Sequence, residues 1–138
     1  MSTSTFVKVC GLSTPGDVET AVEAGADAVG FVVSEGSPRS VPRERIADLA
    51  RLVPEDVVTV LVTATLPVDD AVTLVRDAGL GVLQLHGRRY GAEDFARFLA
   101  GVPADVIVVV DEAYAEFVDA PDYASALPLV SRHRNLVV

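Results

Sequence analysis

The fold is decided by the run Phe6-Val7-Lys8-Val9-Cys10-Gly11-Leu12, a short apolar strand that ends on a thiol and a glycine. Similar strand ends follow at Gly30-Phe31-Val32-Val33, Thr59-Val60-Leu61-Val62 and Leu83-Gln84-Leu85-His86-Gly87. Each of these runs is followed by a stretch with helical periodicity. In parallel α/β proteins, active sites gather at the carboxyl ends of the strands. The first run therefore places Cys10 where an active site is expected.

Strands and helices alternate along the predicted chain. In the first helix, Thr14 suits the N-cap, Pro15 the first turn and Gly25 the C-terminal end. Strands are predicted over residues 6–10, 28–33, 57–62, 81–85, 106–110, 116–119 and 135–138. The remaining helices are predicted over residues 42–52, 68–78, 92–99 and 123–130.

This alternation predicts an α/β fold with a parallel sheet and right-handed crossovers. The spacing fails between the fifth and sixth predicted strands, because only residues 111–116 separate them and a parallel crossover needs about a dozen residues. We therefore expect a (β/α)8 TIM barrel in one partial domain over residues 1–138, with strands 1 to 7 visible. We expect loops to be missing between Val110 and Glu116 and at Pro121-Asp122. We also expect a C-terminal part to be missing.

Composition narrows the class of protein. The net charge of −9, from 20 acidic and 11 basic residues, repels phosphate backbones and argues against nucleic-acid binding. One cysteine forms no internal disulfide, which suits a reducing compartment. No apolar stretch approaches the ~20 residues of a membrane span, and residues 1–5 lack the features of a signal peptide. We expect a cytoplasmic enzyme that acts on a small molecule, with no nucleic-acid or membrane partner.

Cys10 is the first residue with possible chemistry. Lys8 and Cys10 are two positions apart, so their side chains share one face of the strand. An ammonium group beside a thiol stabilises the thiolate. A lone cysteine is more often a small buried hydrophobic residue, and that alternative stays open. Metal binding by a cysteine cluster is excluded.

Two carboxylates stand at predicted strand ends. Asp119 ends the run Phe117-Val118-Asp119, although it also suits the cap of a turn before Pro121. Asp111, at the end of the fifth predicted strand, is the second candidate.

Three further polar residues are placed to meet a ligand. Arg39 follows the second strand and offers a planar fork for a carboxylate or phosphate, although a solvated loop cation is the alternative. Gln84 and His86 alternate with leucines, so their side chains share one face of the strand. They are expected to contact either a ligand or an internal polar network. No glycine-rich fingerprint of the P-loop or dinucleotide type is present.

Four blocks of the chain together resemble phosphoribosylanthranilate isomerase of tryptophan biosynthesis. The likeness covers most of residues 6–100 and continues more weakly to residue 138. It is carried by Lys8-Val9-Cys10-Gly11-Leu12, residues 25–32, Ser37-Pro38-Arg39 and Gln84-Leu85-His86-Gly87.

The resemblance implies a (β/α)8 barrel without metal or organic cofactor that performs an Amadori rearrangement on a phosphorylated aminoaldose. It implies that Cys10 is the general base at the sugar C2′ and that Asp119 is the general acid at the ring oxygen. Arg39 then binds the anthranilate carboxylate, and Lys8, Gln84 and His86 are expected to contact the substrate. The protein is expected to be a monomer or a homodimer.

The chain departs from the family pattern at its phosphate site. The glycine-rich loop after strand six and the later glycines are not visible, although Asp122-Tyr123 resembles the pair that follows that loop. Thr63-Ala64-Thr65 stands where strand three usually ends in Asn. Two alternatives therefore remain: a non-catalytic barrel remnant that acts as a scaffold or interaction module, and a related barrel isomerase of another phosphorylated aminosugar. Cys10 argues against the second.

Overall fold

Six strands and four α-helices alternate in the computed structural model, which describes residues 5–86, 92–113, 115–119, 121 and 123–138. In chain order they are β1 (Lys8–Cys10), α1 (Pro15–Glu23), β2 (Ala28–Val32), α2 (Arg43–Ala50), β3 (Val58–Thr63), α3 (Val68–Ala78), β4 (Val82–His86), α4 (Ala92–Gly101), β5 (Ile107–Asp111) and β6 (Leu136–Val137). The prediction of alternating strands and helices is confirmed, and α3 has the predicted bounds.

The six strands form one parallel sheet in the order β1-β2-β3-β4-β5-β6. Each strand therefore pairs with its neighbours in sequence, as in a (β/α) barrel and unlike a doubly wound sheet. The sheet is open, with β1 at one edge and β6 at the other.

The helices cover one face of the sheet. Alternate residues of the strands, such as Phe31, Leu61 and Leu83, are fully buried beneath helical residues that include Ile46 and Phe95. The opposite side, which we call the inner face, carries a smaller apolar cluster of Ala28, Val32, Val60, Val62 and Val82, with Cys10 and Val109 packed against it. This second face is where the polar strand residues emerge.

Helix α1 begins with a reciprocal cap. Thr14 Oγ1 accepts a hydrogen bond from the Asp17 amide at 3.2 Å, and Asp17 Oδ2 accepts one from the Thr14 amide at 2.9 Å. The Ser13 amide also donates to Asp17, and these bonds hold the pKa of the Asp17 carboxyl below its ordinary value. The predicted N-cap is confirmed, and Gly25 follows the helix with a φ of +83° that favours glycine.

The predicted sixth strand is wrong. Residues Ala115–Phe117 form a single 3₁₀ turn, and Phe117 is 74% exposed. Helix 123–130 is also absent, and only the 3₁₀ turn Leu127–Leu129 forms there. Pro128 lacks the amide that a continuing helix needs, which accounts for the difference.

The seventh predicted strand, over residues 135–138, does form. It is β6, the sixth strand of the structure, and it pairs in parallel with β5. The connection between β5 and β6 runs over residues 112–135, which is longer than the dozen or so residues that a parallel crossover needs. The missing loop between Val110 and Glu116 was inferred from a crossover that was too short, so that inference fails. Glu112 holds this connection, because its carboxylate accepts hydrogen bonds from the Ser125 hydroxyl and the Ala126 amide, each at 2.7 Å. Asp122, at the second expected junction, lies outside the described residues.

Candidate active site

Cys10 and Lys8 converge on the inner face above Gly30. A Cβ atom built on Gly30 would lie 3.0 Å from Cys10 Sγ and 3.4 Å from Lys8 Nζ. The two side chains therefore point to the same side, as predicted, and they share the space that a side chain at position 30 would fill. Because Gly30 is paired with Cys10 in the β1–β2 register, the absence of its side chain makes room for the thiol.

Arg39 reaches the same strand end from the loop after β2. A Cβ atom on Gly11 would lie 2.7 Å from Arg39 Cδ and 3.1 Å from both Nε and Nη1. Gly11 also has a φ of +85°, so its conformation and its close contact with Arg39 both favour glycine. Arg39 is exposed and makes no ion pair within the described part of the chain. Its guanidinium is thus available to an anion beside Cys10.

Gln84 and His86 meet Asp111 at the ends of β4 and β5. Asp111 Oδ2 lies 2.9 Å from His86 Nδ1 and 3.3 Å from Gln84 Nε2, and Oδ1 accepts a hydrogen bond from the Ala113 amide at 3.2 Å. The shared face predicted for Gln84 and His86 is confirmed by this common partner. Gly87, which completes their sequence block, lies outside the described residues.

The contacts of Asp111 also set its ionisation. Partial burial raises the pKa of the Asp111 carboxyl, but hydrogen bonds and the charge of His86 outweigh burial and leave that pKa below its ordinary value. The hydrogen bonds come from His86, Ala113 and Gln84. Asp111 is therefore a carboxylate at neutral pH and accepts hydrogen bonds there.

The register of the sheet relates Cys10 to the ends of the other strands. In the strand pairing, Cys10 aligns across the sheet with Gly30, Val60, Val82 and Ile107. Asp111 lies four residues beyond Ile107 along β5, where it pairs with His86 of β4.

Asp119 does not end a strand. It is exposed on an irregular segment that follows the 3₁₀ turn, and it belongs to no strand. The predicted strand end for Asp119 is therefore corrected. Sequence reasoning also missed the contact of Gly30 with the thiol, although a glycine inside an apolar strand is a signal for close approach of another group.

The described residues contain no group of three His, Cys, Asp or Glu side chains that could hold a metal ion. Among the same residues, no helix has both the length and the apolar character needed to cross a bilayer.

Residues 7–132 match the family model for N-(5′-phosphoribosyl)anthranilate (PRA) isomerase. The chain belongs to this family. It is 42% identical over 109 residues to N-(5′-phosphoribosyl)anthranilate isomerase of Haloferax volcanii, with 78% of this chain and 48% of that protein covered. It is 38% identical over 117 residues to the isomerase of Natronomonas pharaonis, with 83% and 56% covered. The chain thus spans about half the length of the curated relatives it matches.

Solved structures of PRA isomerases share the fold. TrpF from Jonesia denitrificans superposes with a TM-score of 0.69 at 39% identity, over 78% of this chain and 50% of that one. A phosphoribosyl anthranilate isomerase in complex with reduced 1-(o-carboxyphenylamino)-1-deoxyribulose 5-phosphate gives 0.68 at 25% identity, over 96% and 74%. The open sheet described above therefore corresponds to part of the fold of this family.

Proposed function

We propose that this chain is an isomerase that converts N-(5′-phosphoribosyl)anthranilate into 1-(2-carboxyphenylamino)-1-deoxyribulose 5-phosphate. The observation that carries the proposal is the convergence of Cys10 Sγ and Lys8 Nζ above Gly30, with Arg39 beside the same strand end. Family membership and the reduced product analogue bound by a structural relative agree with this substrate.

Cys10 is the proposed general base. A thiolate at this position removes the proton from C2′ of the opened sugar, and the adjacent Lys8 ammonium stabilises the negative charge on sulfur. No metal or organic cofactor takes part in the proposed reaction.

Arg39 is the proposed anchor for the anthranilate carboxylate. Its guanidinium has no ion-pair partner in the described part of the chain and can form a bidentate pair with a carboxylate. Gln84 and His86 are proposed to contact the sugar, because both emerge on the inner face with Cys10.

The reaction also needs an acid that protonates the ring oxygen when the furanose opens. The family resemblance proposes Asp119 for this step, with Asp111 as the alternative. Comparing Asp119→Asn with Asp111→Asn under identical conditions distinguishes the two.

The test is a turnover assay that follows the fluorescence of the anthranilate substrate. Cys10→Ser is expected to remain folded and to lose about 10²–10⁴-fold in kcat, because a hydroxyl is a far weaker base than a thiolate. Arg39→Ala is expected to raise KM, and Arg45→Ala is the matched control because Arg45 is an exposed arginine of helix α2. Near-normal kcat in folded Cys10→Ser would remove Cys10 from the mechanism.

A non-catalytic scaffold is the second proposal, and one observation favours it. Residues 102–138 contain no glycine, so the glycine-rich phosphate loops of the family have no counterpart in that part of the sequence. Under this alternative the folded wild-type protein shows no turnover and does not bind the reduced product analogue. For either function we propose a cytoplasmic protein that is a monomer or a homodimer.

A further inference from the structure

We infer that Thr65 is a positioning residue, which holds the loop of residues 34–40 in the shape that presents Arg39 beside Cys10. The inference rests on the proposed function, in which Arg39 binds the anthranilate carboxylate. Thr65 then contributes to the recognition of that carboxylate from the neighbouring strand end, and it acts through Arg39.

Thr65 joins two loops that follow neighbouring strands. Its Oγ1 accepts a hydrogen bond from the Glu35 amide at 2.8 Å and lies 3.5 Å from Ser34 Oγ. Ser34 and Glu35 lie at the start of the loop after β2, whereas Thr65 lies between β3 and α3. The hydroxyl of Thr65 therefore connects the loop that carries Arg39 to the end of the next strand.

Thr65 is itself attached to the end of β3. Thr63, the last residue of β3, is only 2% exposed, and its Oγ1 accepts hydrogen bonds from the Thr65 amide at 3.3 Å and the Leu66 amide at 3.0 Å. Groups supported by a strand are held more precisely than groups supported by a loop alone. The Thr65 hydroxyl is thus a fixed point against which the 34–40 loop is placed.

Hydrogen bonds within the loop extend this contact to Arg39. The Ser34 amide donates to Ser40 Oγ at 3.1 Å, across the two ends of the loop. Ser40 also forms a bridge with Val32 of β2, and the Arg39 amide donates to Ser37 Oγ at 3.3 Å. The loop therefore closes directly beside Arg39, so the position of Ser34 affects where the arginine side chain begins.

The Arg39 side chain then lies against Gly11, the residue that follows Cys10. A Cβ atom on Gly11 would lie 2.7 Å from Arg39 Cδ, which leaves the guanidinium at the strand end that carries the thiol. A guanidinium binds a carboxylate through two parallel hydrogen bonds, and that geometry is lost when the loop shifts. Removal of the Thr65 hydroxyl should therefore weaken carboxylate binding and leave Cys10 in place.

Binding of two ligands to the full chain is the first arm of the test. One ligand is the reduced product analogue, and the other is its aniline counterpart, which lacks the aryl carboxylate. Thr65→Val should raise the Kd of the first by about 3–10-fold, the range that one neutral hydrogen bond accounts for, and leave the Kd of the second unchanged. Thr65→Ser keeps the hydroxyl and should retain wild-type affinity. An unchanged affinity for the first ligand in Thr65→Val, or an equal loss for both ligands, overturns the inference.

Thr20→Val is the matched control. The Thr20 hydroxyl donates to the Gly16 carbonyl at 2.8 Å within helix α1, and this exposed threonine does not contact the 34–40 loop. Its valine variant should bind both ligands as the wild type does.

A double variant separates action through Arg39 from a direct contact of Thr65 with the ligand. In the Arg39→Ala background, Thr65→Val should weaken binding no further, because the two residues contribute as one unit. Losses that add up in the double variant overturn the inference. In turnover, Thr65→Val should raise KM and leave kcat within about 2-fold of the wild type, and a fall in kcat at constant KM also overturns it.

Relaxation of ¹⁵N nuclei in the ligand-free protein is the second arm, and it depends on neither substrate nor turnover. Thr65→Val should lower the order parameters of the Glu35 amide and of the Arg39 Nε–H group, whereas Thr20→Val should change neither. Unchanged order parameters in Thr65→Val overturn the inference. A wild type that binds neither ligand contradicts the proposed function, and the order parameters then decide by themselves whether Thr65 holds Arg39.

Discussion

Gly30→Ala tests whether the space above Gly30 sets the position of the thiol. The new methyl group would lie 3.0 Å from Cys10 Sγ, about 0.5–1 Å closer than the ~3.5–4.0 Å of an optimal contact between non-bonded atoms. The sulfur therefore moves by about that distance. Because a misplacement of about 1 Å costs a catalytic group about 10²-fold, kcat should fall by about 10-fold to 10²-fold.

Stability should change much less than kcat. A methyl group in a strand removes the excess chain entropy of glycine, a gain of about 0.5–1 kcal/mol, while overpacking costs about 1–3 kcal/mol. The net loss in the free energy of unfolding is therefore at most about 2.5 kcal/mol.

The assay combines kcat, urea unfolding and the rate of alkylation of Cys10, the one cysteine of the chain. Gly81→Ala is the matched control, because a Cβ atom there meets nothing within 4 Å. Wild-type kcat and an unchanged alkylation rate in folded Gly30→Ala would refute the reasoning, since the thiol would then tolerate an occupied space.

Three further predictions concern stability. Gly11→Ala should lower the free energy of unfolding by about 1–2 kcal/mol, because alanine is strained at the φ of +85°. The loss should be larger if Arg39 Cδ cannot move away from the new methyl group, and urea unfolding measures it. Thr14→Ala should cost about 1 kcal/mol, because it removes the acceptor of the Asp17 amide; a loss below 0.3 kcal/mol in thermal unfolding would contradict the cap. Asp111 has a lowered pKa, so its carboxylate adds stability that is fully present above its unfolded pKa of about 3.9 and is lost as the pH falls through the folded pKa. The stability difference between wild type and Asp111→Asn should therefore shrink as the pH falls below about pH 4, and a difference that does not change there would contradict this assignment.

Much of the fold was predictable because its signals are local. Helix α3 was predicted at its observed bounds, and the α1 cap followed from Thr14 and Asp17. The same-face placement of Lys8 with Cys10 followed from the two-residue period of a strand. These features depend on residues that are neighbours in the sequence, so one chain contains the information.

The errors arose where partners are distant in sequence. Residues 116–119 have the apolar character of a strand, yet the contacts of Glu112 with Ser125 and Ala126 direct the connection toward β6 instead. The contact between Asp111 and His86 depends on the β4–β5 register, which no local pattern reveals. The choice between Asp119 and Asp111 as the acid stays a prediction, which the comparison of their asparagine variants tests.

The short first strand also affects how the β1 edge of the sheet interacts with other chains. Strand β1 has three residues, whereas its neighbour β2 has five, and it carries the exposed Lys8. An unpaired edge is a template for strand addition, and short edge strands and lysine side chains both weaken that template. An incoming strand would form few hydrogen bonds with β1 and would have to cover a positive charge. The β1 edge is therefore a poor site for aggregation by strand addition.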